Sequence, residues 1–66
     1  MATPKQAQYL KDLLIERGYL NAKYGSMYGH AKKLPYHPTI AERRDVGAWL
    51  GRLSVKQASE IIDSLK

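Results

Sequence analysis

Apolar residues recur at helical spacing in three stretches of the chain. In the first stretch the positions that share one side are Ala7, Leu10, Leu13 and Leu14. In the second they are Val46, Trp49, Leu50 and Leu53, and in the third Val55, Ala58, Ile61, Ile62 and Leu65. Because this spacing follows the 3.6-residue period of an α-helix, the pattern predicts three amphipathic helices.

Each predicted helix begins with a capping box, in which a hydroxyl residue is followed three positions later by Glu or Gln. The three motifs are Thr3-Pro4-Lys5-Gln6, Thr39-Ile40-Ala41-Glu42 and Ser54-Val55-Lys56-Gln57. In such a box the two side chains accept hydrogen bonds from backbone N–H groups that the helix leaves unpaired. We therefore expect helices from Pro4 to about Arg17, from Thr39 to about Leu50 and from Val55 to about Leu65. Gly18 and Gly51 are expected to end the first two helices.

The segment between the first two predicted helices, residues 19–38, is rich in Tyr, Gly and Pro. This composition predicts a structured loop, with one or two helical turns between Asn21 and Tyr28 as an alternative. We expect its tyrosines to bury their rings and to keep their hydroxyls in water. Ile15 lies off the apolar stripe of the first helix, so either this segment covers it or it forms a second contact surface.

The length of 66 residues allows one small domain, which we expect to be all-α with its first and third helices adjacent. The chain has no cysteine, which excludes disulfides and thiolate metal sites and favours a reducing, cytoplasmic compartment. No apolar run approaches the roughly 20 residues of a membrane span, so no membrane association is expected.

The charge of the chain favours polyanionic partners. Eleven Lys and Arg against six Asp and Glu give a formal net charge of +5. The distribution is uneven, because no acidic residue lies between Glu16 and Glu42. Nucleic acid is the partner that this distribution favours most.

Catalysis finds little support in the sequence. The two histidines, His30 and His37, have no carboxylate beside them, so neither a nucleophile with its base nor a metal site is indicated. Gly25 and Gly29 match no phosphate-binding loop. We expect a protein that is not an enzyme and has no cofactor and no metal.

Nucleic acid has two possible routes of contact in this sequence. One is a helix-turn-helix, in which the third helix uses Ser54, Lys56 and Gln57 but also presents Glu60 and Asp63 to the phosphates. The other is the acid-free segment, where cations neutralise phosphates and tyrosines stack on bases. The candidate residues of this second route are Lys23, Tyr24, Tyr28, Lys32, Lys33, Tyr36, Arg43 and Arg44.

A protein-interaction module is the alternative function. A small basic domain with exposed aromatic residues is also suited to self-association, or to acting as an adaptor or inhibitor that captures an acidic protein. The sequence favours low-specificity nucleic-acid binding but leaves open the partner, the strand form and the oligomeric state.

The two ends of the chain resemble a known pattern. Thr3-Pro4-Lys5-Gln6-Ala7-Gln8-Tyr9-Leu10 and Leu53-Ser54-Val55-Lys56-Gln57-Ala58-Ser59-Glu60-Ile61-Ile62-Asp63-Ser64-Leu65-Lys66 resemble a bipartite helical pattern of small actinobacteriophage proteins of unknown function. Similar segments also occur appended to bacterial and phage DNA-processing proteins. The resemblance implies a bacterial or phage-infected cytoplasmic setting and favours nucleic acid, but it supplies no functional residues and does not include the middle segment.

Overall fold

Helices dominate the fold, as the apolar periodicity predicts, but their number and layout differ from the prediction. The computed structural model describes residues 1–66. Its elements are α1 (Pro4–Glu16), β1 (Leu20–Asn21), β2 (Ser26–Met27), a 3-10 helix (Gly29–Lys33), α2 (Ile40–Arg44), α3 (Val46–Arg52) and α4 (Val55–Leu65). The expected three-helix layout is therefore wrong, because the second predicted helix is two helices and the middle segment contains a small hairpin.

The predicted capping boxes are confirmed at all three helix starts. Thr3 Oγ1 accepts the N–H of Gln6 at 3.1 Å, and Gln6 Oε1 accepts the N–H of Thr3 at 3.1 Å. The same reciprocal pair forms at the starts of α2 and α4. These bonds fix where the helices begin, since they satisfy N–H groups that have no partner within the helix.

The second predicted helix is interrupted at Asp45, whose backbone leaves the helical region with φ −132° and ψ 79°. Its carboxylate accepts the N–H of Ala48 at 3.3 Å and so caps a new helix, α3. Asp is among the preferred N-cap residues, which explains why the chain restarts here. Gly51 is not the predicted stop, because α3 continues through it to Arg52 and ends at the extended Leu53.

The end of α1 is as predicted. Gly18 adopts a left-handed φ of 81°, and the N–H of Tyr19 reaches back to the carbonyl of Leu14 at 2.8 Å. This six-to-one bond is the signature of a Schellman ending. It turns the chain sharply into β1, which begins directly after Tyr19.

The predicted contact between the first and last helices is confirmed, and the two helices run parallel. Gln6 Nε2 donates to the carbonyl of Val55 at 3.2 Å near their starts. Arg17 Nε donates to the carbonyl of Leu65 at 2.7 Å near their ends. Parallel helices place their negative dipole ends together, so the Arg17 guanidinium stabilises both by lying there.

The core joins the helices to the middle segment. Its completely buried large side chains are Trp49, Leu10, Leu14, Leu53 and Ile61, and the middle segment adds Leu20, Met27, Ala31 and Leu34. One expectation fails, because Val55 is exposed instead of buried. Of the two alternatives for Ile15, cover by the middle segment is not found, since Ile15 also stays exposed. None of the helices combines the length and apolar character needed to cross a membrane.

Candidate nucleic-acid interface

The hairpin turn presents Lys23 and Tyr24. β1 and β2 pair antiparallel, with Leu20 opposite Met27, in place of the helical turns considered for this region. The side chain of Asn21 accepts the N–H groups of Lys23 and Tyr24 at 2.9 and 3.2 Å. Such a side-chain-to-backbone bond replaces a backbone turn bond and orders the loop. The two candidate residues therefore lie on a defined turn.

The Tyr24 ring is among the most exposed in the molecule. It is 72% exposed, and the ammonium of Lys23 lies 5.4 Å from its centroid, within the range of a cation–π contact. The expectation that the loop tyrosines bury their rings is therefore wrong here. The side chain has no core position to fill, since the core contacts of the hairpin come from Leu20 and Met27.

An aromatic cluster forms where the hairpin meets the 3-10 helix. The rings of Tyr28 and His30 lie nearly parallel, at 9° and 5.7 Å between centroids, and Tyr19 is tilted against His30 at 5.1 Å. His30 is fixed by Nε2, which lies 2.8 Å from the carbonyl of Gly18 and donates to it. Tyr28 remains 44% exposed, so its ring is also not buried as expected.

Lys32 and Lys33 are both exposed on the 3-10 helix. The residues on either side of this pair, Ala31 and Leu34, are buried in the core. The backbone that carries the two lysines is therefore anchored from below, while both ammonium groups face solvent.

Arg43 and Arg44 lie on α2, which packs beside β2. The Arg43 guanidinium passes close to Gly29, where a side-chain carbon would stand 3.2 Å from Nη1. Arg43 thus reaches the start of the 3-10 helix, between Tyr28 and His30 in the chain. The structure brings this arginine to the backbone between Tyr28 and His30 although the two segments are distant in the sequence.

The side chains just described lie on the hairpin, the 3-10 helix and α2, and we call them together the basic aromatic surface: Lys23, Tyr24, Tyr28, Lys32, Lys33, Arg43 and Arg44. None of its five cations has an acidic partner, because the ion pairs of the structure are Arg52 with Glu42 and Lys66 with Asp63. Of the two acids that flank the arginines in sequence, Asp45 accepts the N–H of Ala48 as the cap of α3, and Glu42 is held by two bonds from Arg52 at 2.7 and 2.8 Å. These bonds keep the pKa of Glu42 low, at about 2.

Tyr36 is the sequence candidate that the structure places elsewhere. Its hydroxyl donates a hydrogen bond to a carboxylate oxygen of Glu60 on α4. That bond, together with desolvation and the negative charge of Glu60, raises the pKa of Tyr36. The ring therefore lies beside an acid, apart from the cations of the basic aromatic surface.

The helix-turn-helix route gains little from the structure. α3 and α4 are joined by Leu53 and Ser54, but Ser54 Oγ and Gln57 Oε1 are used in the capping box of α4. Of the three residues proposed to contact DNA, only Lys56 has no capping role.

No group of three His, Asp or Glu side chains in the structure is placed to hold a metal ion, and the surface has no pocket.

Two contributors to the candidate site were not predicted. Asn21 orders the turn, and His30 lies beside Tyr28 with its ring nearly parallel. The sequence signal for Asn21 was its position ahead of Gly25, which adopts a left-handed φ of 69°. His30 had only the local signal of two aromatic rings flanking Gly29.

No family model, curated protein or solved structure matches the chain. The resemblance of its two ends to phage proteins therefore stays a prediction.

Proposed function

We propose that this chain is a small non-enzymatic protein that binds nucleic acid with low sequence specificity through the basic aromatic surface. The observation that carries the proposal is that five cationic side chains on neighbouring elements lack acidic partners: Lys23, Lys32, Lys33, Arg43 and Arg44. Unpaired cations attract phosphates without first having to break an ion pair. Each phosphate that they neutralise releases condensed counterions, which favours binding.

Low specificity follows from the kind of contact. Lysine and arginine contacts to phosphates fix the position of a strand but carry no information on its bases. A helix lying in the major groove would supply such information, yet α2, which carries the arginines, has only 5 residues. We therefore expect similar affinities for oligonucleotides of different sequence at equal length.

A salt titration of fluorescence anisotropy tests the proposal. With five phosphate contacts to a single strand, the logarithm of the binding constant should fall against the logarithm of salt with a slope of about −3.5. The double variant Lys32→Ala/Lys33→Ala should reduce this slope to about −2.1, because two contacts are lost. The matched control is Lys5→Ala/Lys11→Ala, which removes the same charge from exposed positions on α1 and should keep the original slope.

Two outcomes would contradict the proposal. Equal slopes for the two double variants would remove Lys32 and Lys33 from the site. A wild-type protein that does not bind at physiological salt would show that its charge is generic. The protein-interaction alternative would then be favoured, because Ile40 on α2 is 73% exposed and would suit an apolar contact. Sedimentation velocity and a pull-down would test that alternative.

A further inference from the structure

We infer that the nucleic acid taken by the basic aromatic surface is single-stranded, with unpaired bases stacked on the rings of Tyr28 and Tyr24. This inference rests on the proposed function and adds the strand form to it. It is carried by the geometry of the two rings and by the positions of the cations beside them.

Tyr28 is a supported platform. His30 lies nearly parallel to its ring in an offset arrangement, 5.7 Å between centroids, and His30 itself is held by the Gly18 carbonyl and contacts Tyr19. The remaining exposure of Tyr28 leaves ring surface open to solvent. A base that stacks there extends an existing aromatic pair, and the contact with His30 reduces the side-chain freedom that Tyr28 has left to lose.

A cation lies next to this platform. The Arg43 guanidinium lies close to the backbone at Gly29, where a β-carbon would stand 3.2 Å from Nη1. Gly29 lies between Tyr28 and His30 in the chain, so the guanidinium is next to the backbone that carries the stacked pair. A nucleotide whose base stacks on Tyr28 can therefore place its phosphate near Arg43.

Tyr24 repeats the arrangement at the tip of the hairpin. Its ring is largely exposed, the Lys23 ammonium lies beside it, and Asn21 orders the turn that carries both. Each platform thus combines one aromatic ring with one cation, which is the combination that single-strand-binding surfaces use.

A duplex would not use these rings. Its bases are paired and stacked on one another, so their flat faces are closed to a protein ring unless the duplex opens. Groove docking also lacks a suitable element, because the outward face of α4 carries Glu60 and Asp63. Tyr36 is not part of the stacking set, since the carboxylate of Glu60 beside it would repel a phosphate.

The test compares a labelled single strand of about 12 nucleotides with a hairpin duplex of the same composition, by fluorescence anisotropy at physiological salt. Tyr24→Ala and Tyr28→Ala should each weaken single-strand binding by about 5- to 150-fold, the effect of losing one base–ring stack. Tyr24→Phe should keep the affinity because it keeps the ring. The matched control is Tyr9→Ala, which removes from α1 a tyrosine that is 47% exposed, close to the exposure of Tyr28, and should leave binding unchanged.

The outcomes separate this inference from the proposed function. Binding of neither form would overturn both. Tight binding of the duplex, or tyrosine variants that bind like Tyr9→Ala, would overturn the stacking inference while the lysine-dependent salt slope still supports nucleic-acid binding. Circular dichroism shows whether each variant is folded. If Tyr28→Ala does not fold, Tyr24→Ala still tests the inference, because Tyr24 has no core position to lose. Comparing single-stranded DNA with single-stranded RNA of the same sequence shows which of the two the surface binds more tightly.

Discussion

The backbone of Tyr36 is held in a conformation that its side chain disfavours. Its φ is 55°, in the left-handed region, and no other residue apart from glycine has a positive φ. Two bonds hold it there. The indole N–H of the buried Trp49 donates to the Tyr36 carbonyl at 2.8 Å, and the Tyr36 hydroxyl donates to Glu60. These contacts offset the strain and direct the chain from the 3-10 helix towards α2.

A pair of substitutions isolates that strain. Tyr36→Ala and Tyr36→Gly both remove the bond to Glu60 and keep the carbonyl that Trp49 holds, so they differ only in the β-carbon. The left-handed conformation costs a non-glycine residue about 1–2 kcal/mol. Glycine avoids this cost, but the greater freedom of its unfolded chain reduces its stability advantage over alanine by roughly 0.4–1 kcal/mol. We expect Tyr36→Gly to be the more stable by about 1 kcal/mol, or about 4–8 °C in Tm for a domain of this size.

Thermal and urea unfolding followed by circular dichroism measures this difference. The control pair is Ser59→Ala and Ser59→Gly, at an exposed position inside α4, where the difference in stability should have the opposite sign. There Ala should be more stable than Gly by about 1 kcal/mol, because the backbone is helical. If Tyr36→Ala proved as stable as Tyr36→Gly while the Ser59 pair behaved as expected, the reasoning on Tyr36 would be refuted.

Three further predictions concern stability. Trp49→Phe leaves the partly buried carbonyl of Tyr36 without its donor and should lower the free energy of unfolding by about 1–3 kcal/mol. Urea unfolding measures this loss, and an unchanged midpoint would contradict the role of the indole. The hydrogen bonds from Arg52 lower the pKa of Glu42 from 4.5 to about 2, so its contribution to stability is complete above about pH 4.5 and is lost as pH falls towards 2. Glu42→Gln should flatten this part of the stability profile, and a profile identical to wild type would argue against it. Gly18→Ala should destabilise by about 1–2 kcal/mol because φ is positive, while Gly51→Ala, in a helix with open space around it, should stabilise by up to about 1 kcal/mol; calorimetry that gave both the same sign would contradict this.

The helix starts could be predicted because their causes are local. A capping box needs only residues three positions apart, and the Schellman ending needs only a glycine at the right place. The break at Asp45 also had a local signal, since Asp is a preferred N-cap, but the adjoining apolar stripe concealed it. Ile40 gave a second signal. It lies out of phase with the stripe that begins at Val46, and it is exposed in the structure.

The hairpin could not be predicted from periodicity, because strands of two residues are too short to show one. What specifies it is a combination of local and distant contacts. Asn21 bonds to the turn, while Leu20 and Met27 join a core that the helices supply. The same limit applies to Tyr36, whose partner Glu60 is distant in the chain, and to Arg43, which reaches Gly29 only in the folded molecule.

The way the middle segment is anchored bears on how it would bind a strand. Its buried residues, Leu20, Met27, Ala31 and Leu34, alternate along the chain with the exposed residues of the basic aromatic surface. Each exposed side chain is therefore close in sequence to a point fixed in the core. A mobile loop of the same charge would attract polyanions equally well, yet it would lose conformational freedom on binding. The proposed stacking depends on rings held at fixed positions beside their cations. The core contacts of this segment, as much as its charge, are thus what would make it a binding surface.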